Sequence, residues 1–536
     1  MTNRARVPVA ALVALGVLCG AGGAVAAGWK AWGGDLSNTR SAGCADGFEA
    51  DEISGLTVKW TVTTGGDVSA TPTVHAGSVY VPDFAGNLFR IDASSGQVIW
   101  TKKISDYTGI PGDISRTSPA IHGDTLVIGT QGSGRLLAVH RKTGALKWMS
   151  LIDDHPAAIL TQSPVVHGNR VYVGVSSREE YFTLDPSYAC CTFRGSMVAV
   201  DLHDGDIVWK THVVPDNGGL PGGFSGAAVW GSSPVIDTQR GAVYFATGNN
   251  YEVPEEYEEC MIEHADSAED QQHLCIDVYD PPDNLVDAVV ALDLDTGALH
   301  WAKKLQGYDA FNLACSPYIS TDTTNCPETP GPDYDFGQAP MLFTAQTAEG
   351  PRPMLGVGQK SGIFWALDPD DDGNLIWSTV VGPGGVIGGM QWGSATDGHR
   401  IYTAISNYEH TPYVLPNGAM AWGGSFAALD AATGAILWQT PDPLSYEPIV
   451  TETGLGPGFL AVDSAPVTIA GEVVLGGSLT GHMYALDAAT GEILWSFFAG
   501  GSVNGGAAVD KHVAYWGSGY AKAGTPNNKV YAFHVP

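Results

Sequence analysis

Short runs of alternating apolar and polar residues, about four to eight long, recur from Thr57 to the C-terminus, separated by turns rich in Gly, Asp and Asn. Few stretches carry the 3.6-residue period of an amphipathic helix, so the pattern predicts an all-β chain. The alternation is itself periodic. A unit of the form apolar-x-Asp-x-x-Thr-Gly-x-x-x-Trp appears as RIDASSGQVIW ending at Trp100, AVHRKTGALKW at Trp148 and AVDLHDGDIVW at Trp209. It returns as ALDLDTGALHW at Trp301, ALDPDDDGNLIW at Trp377, ALDAATGAILW at Trp438 and ALDAATGEILW at Trp495. In the unit a strand enters the turn, Asp (His140 in the Trp148 copy) stands where it can accept backbone hydrogen bonds, Gly supplies φ > 0, and the next strand ends in Trp.

Trp60, in LTVKW, has the second half of the unit only, and KVYAFHVP at the C-terminus resembles the missing first half. Eight tryptophans therefore predict an eight-bladed β-propeller, with four strands per blade and a closing blade shared by the two chain ends. Each indole is expected to pack between neighbouring blades, burying about 2–3 kcal/mol of apolar surface. Spacing is 40 residues from Trp60 to Trp100, but 92 from Trp209 to Trp301 and 76 from Trp301 to Trp377. The long units carry insertions near 251–285 and 308–335, and such loops mark one mouth of the channel as the place to seek function.

Residues 1–26 combine Arg4 and Arg6, an apolar run and Ala24-Val25-Ala26, the pattern of a secretory signal peptide cleaved before Ala27. The expected organisation is thus a leader at 1–26 and a single propeller at 27–536, secreted or periplasmic, with no membrane span. Of the eight cysteines, seven follow the leader. Export favours disulfides, Cys260 with Cys275 and Cys315 with Cys326 being local pairs, Cys190 and Cys191 a candidate vicinal pair, and Cys44 the odd one. A formal charge of −31 excludes nucleic acid and anionic membranes as natural partners. No His cluster with zinc spacing occurs, and the Asp-rich DPDDDGN at Asp368–Asn374 coincides with a repeat turn, which favours a turn over a calcium loop.

The eight tryptophan-docking repeats, with WGGDLSNTRS near the start, resemble the PQQ-dependent quinoprotein alcohol dehydrogenases. CCTFRGSMVAVD, GPDYDFGQAP and GGMQWGSA resemble segments of the polyvinyl alcohol dehydrogenase branch, here without that branch's haem domain. The resemblance implies a dehydrogenase that uses PQQ and Ca²⁺ to oxidise secondary alcohols, polyvinyl alcohol being one candidate, and delivers electrons to an external acceptor such as a cytochrome c. Small alcohols are the alternative substrate, and a cofactor-free binding or scaffold propeller the alternative function.

The same resemblance implies a site. Glu179 in YVGVSSREEY, with Glu180 as its rival, Asn249 in YFATGNN and Asp333 in PDYDFGQAP match the cation ligands, and Asp333 matches the catalytic base, with Asp335 as the alternative. Calcium requires several hard oxygens, which such a set supplies. Lys360 in GQKSGIFWALD matches the basic residue beside the quinone oxygens, and Trp230 in AAVWGSSP the indole under one face of the cofactor. Arg116 and Thr161 match positions that bind its carboxylates and polar edge, and Gln391, before Trp392, stands where an Asn is frequent. The family's vicinal disulfide comes from an early blade, where this chain has Pro111-Gly112, so Cys190-Cys191 reaches the cofactor from another loop or only stiffens an insertion.

Overall fold

The computed structural model describes residues 28–444 and 461–536, and the leader at 1–26 lies outside them. Its strands form eight antiparallel blades in a ring, each of four strands, the third with a short fifth strand Ala158–Ile159 added. Blade one consists of Thr73–His75, Ser78–Pro82, Asn87–Asp92 and Val98–Lys103, and the other blades follow in chain order. The last blade joins Ala508–Asp510, Val513–Ser518 and Lys529–His534 to Thr57–Thr63, which pairs along the C-terminal strand from Thr57↔His534 to Thr63↔Lys529. The shared closing blade is therefore observed, and the ring is closed by strands from both chain ends.

The repeat works as a docking code. Asp293 Oδ1 accepts from the backbone nitrogens of Asp295 and Thr296, and Asp430 and Asp487 do the same in their own turns. The turn Gly has a left-handed φ, +70° at Gly297 and +75° at Gly491, and lies against the preceding blade's indole. A Cβ on Gly491 would stand 2.5 Å from the Trp438 ring, and one on Gly297 2.6 Å from Trp209, so conformation and proximity both require Gly there. The indole nitrogens of Trp209 and Trp438 donate to Leu294 and Ala488 carbonyls just before those turns, at 3.1 Å each. Trp495 donates to Leu56 at 2.9 Å and so fastens blade seven to the strand that closes the ring.

The segment following Gly28 crosses one mouth of the channel and pairs with the innermost strand of six blades. Carbonyls of Trp29, Lys30, Leu36, Ser37, Thr39 and Arg40 accept from Val74, Ile121, Ile236, Leu342, Thr396 and Ile469, at 2.7–3.0 Å. Arg40 is fully buried, donating to the Val467 and Trp32 carbonyls and to Thr468 Oγ1.

The two insertions fall in and after blade four. The first carries the helix Glu255–Glu263 and the Cys260–Cys275 disulfide, and the second carries Cys315–Cys326. Cys190 and Cys191 are bonded to each other, and none of the described cysteines, Cys44 included, is free. DPDDDGN is the repeat turn of blade five, with Asp368 paired to Arg352 and Asp370 to Arg240. Among the described residues no helix is long and apolar enough to cross a membrane.

Candidate active site

At the end of the channel away from the N-terminal segment lies a cavity of about 300 Å³. Its walls come from loops of blades two to eight, because every blade sends one connection toward the axis. Arg116, Thr161, Trp230, Asp333, Lys360, Gln391 and Trp392 all reach it, as the sequence led us to expect of a shared site. A narrow continuation of about 30 Å³ leads from Arg116, Thr161 and Trp392 to Trp32 in the N-terminal segment.

Glu179 does not reach the cavity and Glu180 does. Glu179, the expected cation ligand, turns instead toward the loop that follows it. Its fully buried carboxylate is consumed by the chain after it, accepting from Tyr188 Oη and Thr192 N at 2.8 Å each and from Phe193 N at 2.9 Å. Those bonds anchor the Cys190-Cys191 loop, whose Cys191 nitrogen also donates to Glu252 at 2.6 Å. Neither cysteine lines the cavity; both pack in one cluster with Ala228, Tyr251 and Trp230, which do.

Asn249 sits just behind the wall, 1% exposed. Its amide nitrogen donates to the carbonyls of Asn250 (2.8 Å) and Phe311 (2.7 Å), which fixes the side chain and reserves its oxygen as an acceptor. Thr161 Oγ1 donates to the Trp230 carbonyl at 3.1 Å, and Gln391 Nε2 to that of Gly388 at 2.7 Å.

The chemistry converges on Lys360. Its Nζ lies 3.0 Å from Asp333 Oδ1 and 2.5 Å from Asp335 Oδ1, with 5.4 Å to the Trp230 ring centre. Asp335 Oδ2 also accepts from Trp230 Nε1 at 2.6 Å. Asp309 holds the loop, its two carboxylate oxygens accepting from the nitrogens of Asp333 (3.0 Å) and Tyr334 (2.7 Å), while Asp333 itself takes a left-handed φ of +58°. A non-Gly residue in that region needs surrounding structure to hold it.

Burial pushes the Asp333 carboxyl well above its ordinary range, with Asp335, Glu180 and Asp309 adding repulsion and Lys360 opposing them. Glu180 is raised to about 7, chiefly by burial, with Asp335 and Glu179 adding to it. Asp309 is raised to about 7, again chiefly by burial. Asp287, fully buried behind them with neither oxygen hydrogen-bonded, is raised well above its ordinary value by burial and then by Asp309, Asp335 and Asp333. For Lys360 burial lowers the pKa, but Asp333 and Asp335 outweigh it and raise it. Carboxylates crowded round one ammonium, some without partners, suit a hard cation.

The wall that adjoins this cluster through Trp230 differs in kind. Trp230 and Trp392 meet edge to face at 5.1 Å between centroids, and the Arg116 guanidinium lies 4.3 Å from the Trp392 ring centre. A cavity bounded by two indoles, by carboxylates and by Lys360 can hold a planar polar ring. Asp309, Arg178 and Lys522 went unnoticed in the sequence. Asp309 lies in the already suspected insertion, and Lys522 in a non-repeat loop of the closing blade, the same kind of signal.

Four known proteins or families are similar to the chain. A family model described as outer membrane protein assembly factor BamB matches residues 51–211 and 422–533. The polyvinylalcohol dehydrogenase of Pseudomonas sp is 28% identical over 526 residues, covering 93% of this chain and 74% of that protein. That of Sphingopyxis sp. (strain 113P3) is 27% identical over 481 residues, covering 88% and 67%. The solved quinohemoprotein alcohol dehydrogenase of Comamonas testosteroni has the same fold, with a TM-score of 0.67 at 20% identity, covering 96% of this chain and 81% of its own.

Proposed function

Since the chain belongs to the PQQ-type propeller family and within it to the quinoprotein alcohol dehydrogenases, oxidoreductases acting on alcohols, we propose that it oxidises secondary alcohol groups, those of polyvinyl alcohol included, to ketones. The observation that carries this reading is the meeting of Glu180, Asp333 and Asp335 around Lys360, facing the indoles of Trp230 and Trp392 in one cavity. Glu180, Asp333, Asp335 and the Asn249 oxygen are the hard donors for Ca²⁺, while Trp230, Trp392, Arg116, Thr161, Lys360 and Gln391 are the residues for PQQ. Bound there, PQQ supplies a two-electron oxidant and Ca²⁺ a Lewis acid that polarises it.

The chain's own part is to place the alcohol and take its proton. Asp333 is the base: its carboxylate lines the cavity beside Lys360 and takes the hydroxyl proton as the substrate gives up its α-hydrogen with the electron pair. Asp335 is less suited, because Lys360 and the Trp230 indole already engage both of its oxygens. Lys360 keeps the two carboxylates at fixed positions, and Trp230 fixes Lys360 and Asp335 in turn. The leader and the disulfides support export, with electrons passing to an external acceptor such as a cytochrome c.

A scaffold role is the second reading, prompted by the description of the matching family model. That match omits residues 212–421, where Trp230, Asn249, Asp333, Lys360 and Trp392 lie, so it leaves out the part of the cavity that carries the base and its lysine. Purified protein loaded with PQQ and Ca²⁺ is expected to reduce a redox dye with secondary alcohols. No dye reduction together with no tight PQQ binding would overturn the enzyme reading, and activity on small alcohols but not the polymer would remove polyvinyl alcohol alone.

A further inference from the structure

The cavity has a second charged end that the catalytic reading leaves unused. Arg116, Arg178 and Lys522 all line it, in a chain of 57 acids against 26 bases. Among the described residues, none of the three is ion-paired to an acid, whereas Lys360 in the same cavity contacts two. Arg178 Nε is buried without a hydrogen-bond partner, and Nη2 has only the Gly132 carbonyl at 3.5 Å. Arg116 lies over the Trp392 ring, and Lys522 Nζ lies 5.5 Å from the Phe84 ring centre, so aromatic faces and not carboxylates hold these two cations.

Such an arrangement is costly without an anion. Burial, then the charges of Arg116 and Arg178, push the Lys522 ammonium down to about 8. Three converging, unneutralised cations in an acidic protein are a built counter-charge for a polyanion.

We propose that Arg178 and Lys522, together with Arg116, form a tri-cationic subsite for the three carboxylates of PQQ, so that blades three and eight share in cofactor capture with blade two. This rests on the cofactor reading above. It assigns two residues from connections that the repeat does not specify: Arg178 just after the strand Arg170–Ser177, and Lys522 between Val513–Ser518 and Lys529–His534. Neither touches the Asp333–Lys360 pair, so their contribution is to affinity and not to proton removal.

The test is PQQ binding to full-length protein in Ca²⁺, followed by tryptophan fluorescence and equilibrium dialysis without alcohol or dye. Arg178→Gln and Lys522→Gln are each expected to weaken binding about tenfold, and the double variant by roughly a hundredfold, a loss of about 1.4 kcal/mol per step. The trimethyl ester of PQQ should bind the native protein more weakly than PQQ does, and the double variant, which keeps only Arg116, should distinguish the two much less. Circular dichroism and thermal unfolding check that the variants fold. Equal PQQ affinity of the folded double variant and the native protein overturns the subsite and leaves the cofactor reading standing. Failure of the native protein to bind PQQ overturns the cofactor reading and this inference with it. If the variants bind PQQ normally but lose affinity only for a carboxylate-bearing alcohol, the cations serve substrate, and the assignment to the cofactor is wrong.

Discussion

Glu179 and Glu180 are adjacent in one short helical turn, yet the first is enclosed by the backbone of Thr192 and Phe193 while the second lines the central cavity. Their substitutions should therefore separate. Glu180→Gln is expected to fold with a near-native unfolding temperature but to lose Ca²⁺-dependent PQQ binding. Glu179→Gln should keep the ligand set and lose about 1–3 kcal/mol of stability, because one fully buried charged acceptor satisfies two backbone donors and a phenol. Thermal unfolding and Ca²⁺ titration of both variants check the division, and the reverse pattern would restore Glu179 as the ligand.

Asp333→Asn should retain PQQ and lower kcat by about 10²–10⁴, the range for removing a general base. Asp335→Asn should act through Lys360 and Trp230, with the larger change in cofactor affinity. Steady-state kinetics on a secondary alcohol beside PQQ dissociation constants decide it, and unimpaired turnover of Asp333→Asn would move the base to Asp335.

The metal-free protein should lose stability as pH rises. Glu180 and Asp309 are raised to about 7 from ordinary values of 4.5 and 3.8, so between those limits the folded state holds protons that the unfolded chain has already released. Their contribution is fully present below about pH 4 and lost as pH climbs through about 7. Ca²⁺ competes for the same oxygens, so its affinity should increase over that interval and its stabilising effect should be greatest above pH 7. Unfolding temperatures with Ca²⁺ and with chelator, from pH 5 to 8.5, read both trends. A melting temperature that climbs with pH under chelator would contradict the assignment.

Trp438→Ala should cost about 3–5 kcal/mol, since it empties the space under Gly491 and strands the Ala488 carbonyl. Denaturant unfolding measures it, and a loss below 1 kcal/mol would show that blades six and seven are held by other contacts.

The ring was legible because its code is local: Asp, Gly and Trp at fixed offsets dictate a turn and a docking surface, and eight copies leave one closed solution. The closing blade was legible for the same reason, since Trp60 lacks the half that Lys529–His534 supplies. The site was legible as far as it consists of departures from the repeat, which placed Asp333, Lys360, Trp230 and Trp392 in one cavity. Glu179 against Glu180 was not, because the choice depends on where the loop through Cys190 and Cys191 returns, a contact of 13 to 14 residues' separation with no periodic signature. Arg178 and Lys522 escaped for a related reason: a single basic residue in a loop has no pattern, and only the ring brings blades three and eight together.

The strip from Trp29 to Arg40 hydrogen-bonds to six of the eight inner strands, the last of them near residue 469. A ribosome delivers this strip among the first residues of the propeller, yet its binding places do not all exist until blade seven has been made. It must therefore wait through most of synthesis and dock late, so that the earliest residues to emerge are among the last to settle. Once docked, it links six blades from the first to the seventh on the axial side as well as round the rim, and the molecule then gives way as one wheel instead of blade by blade.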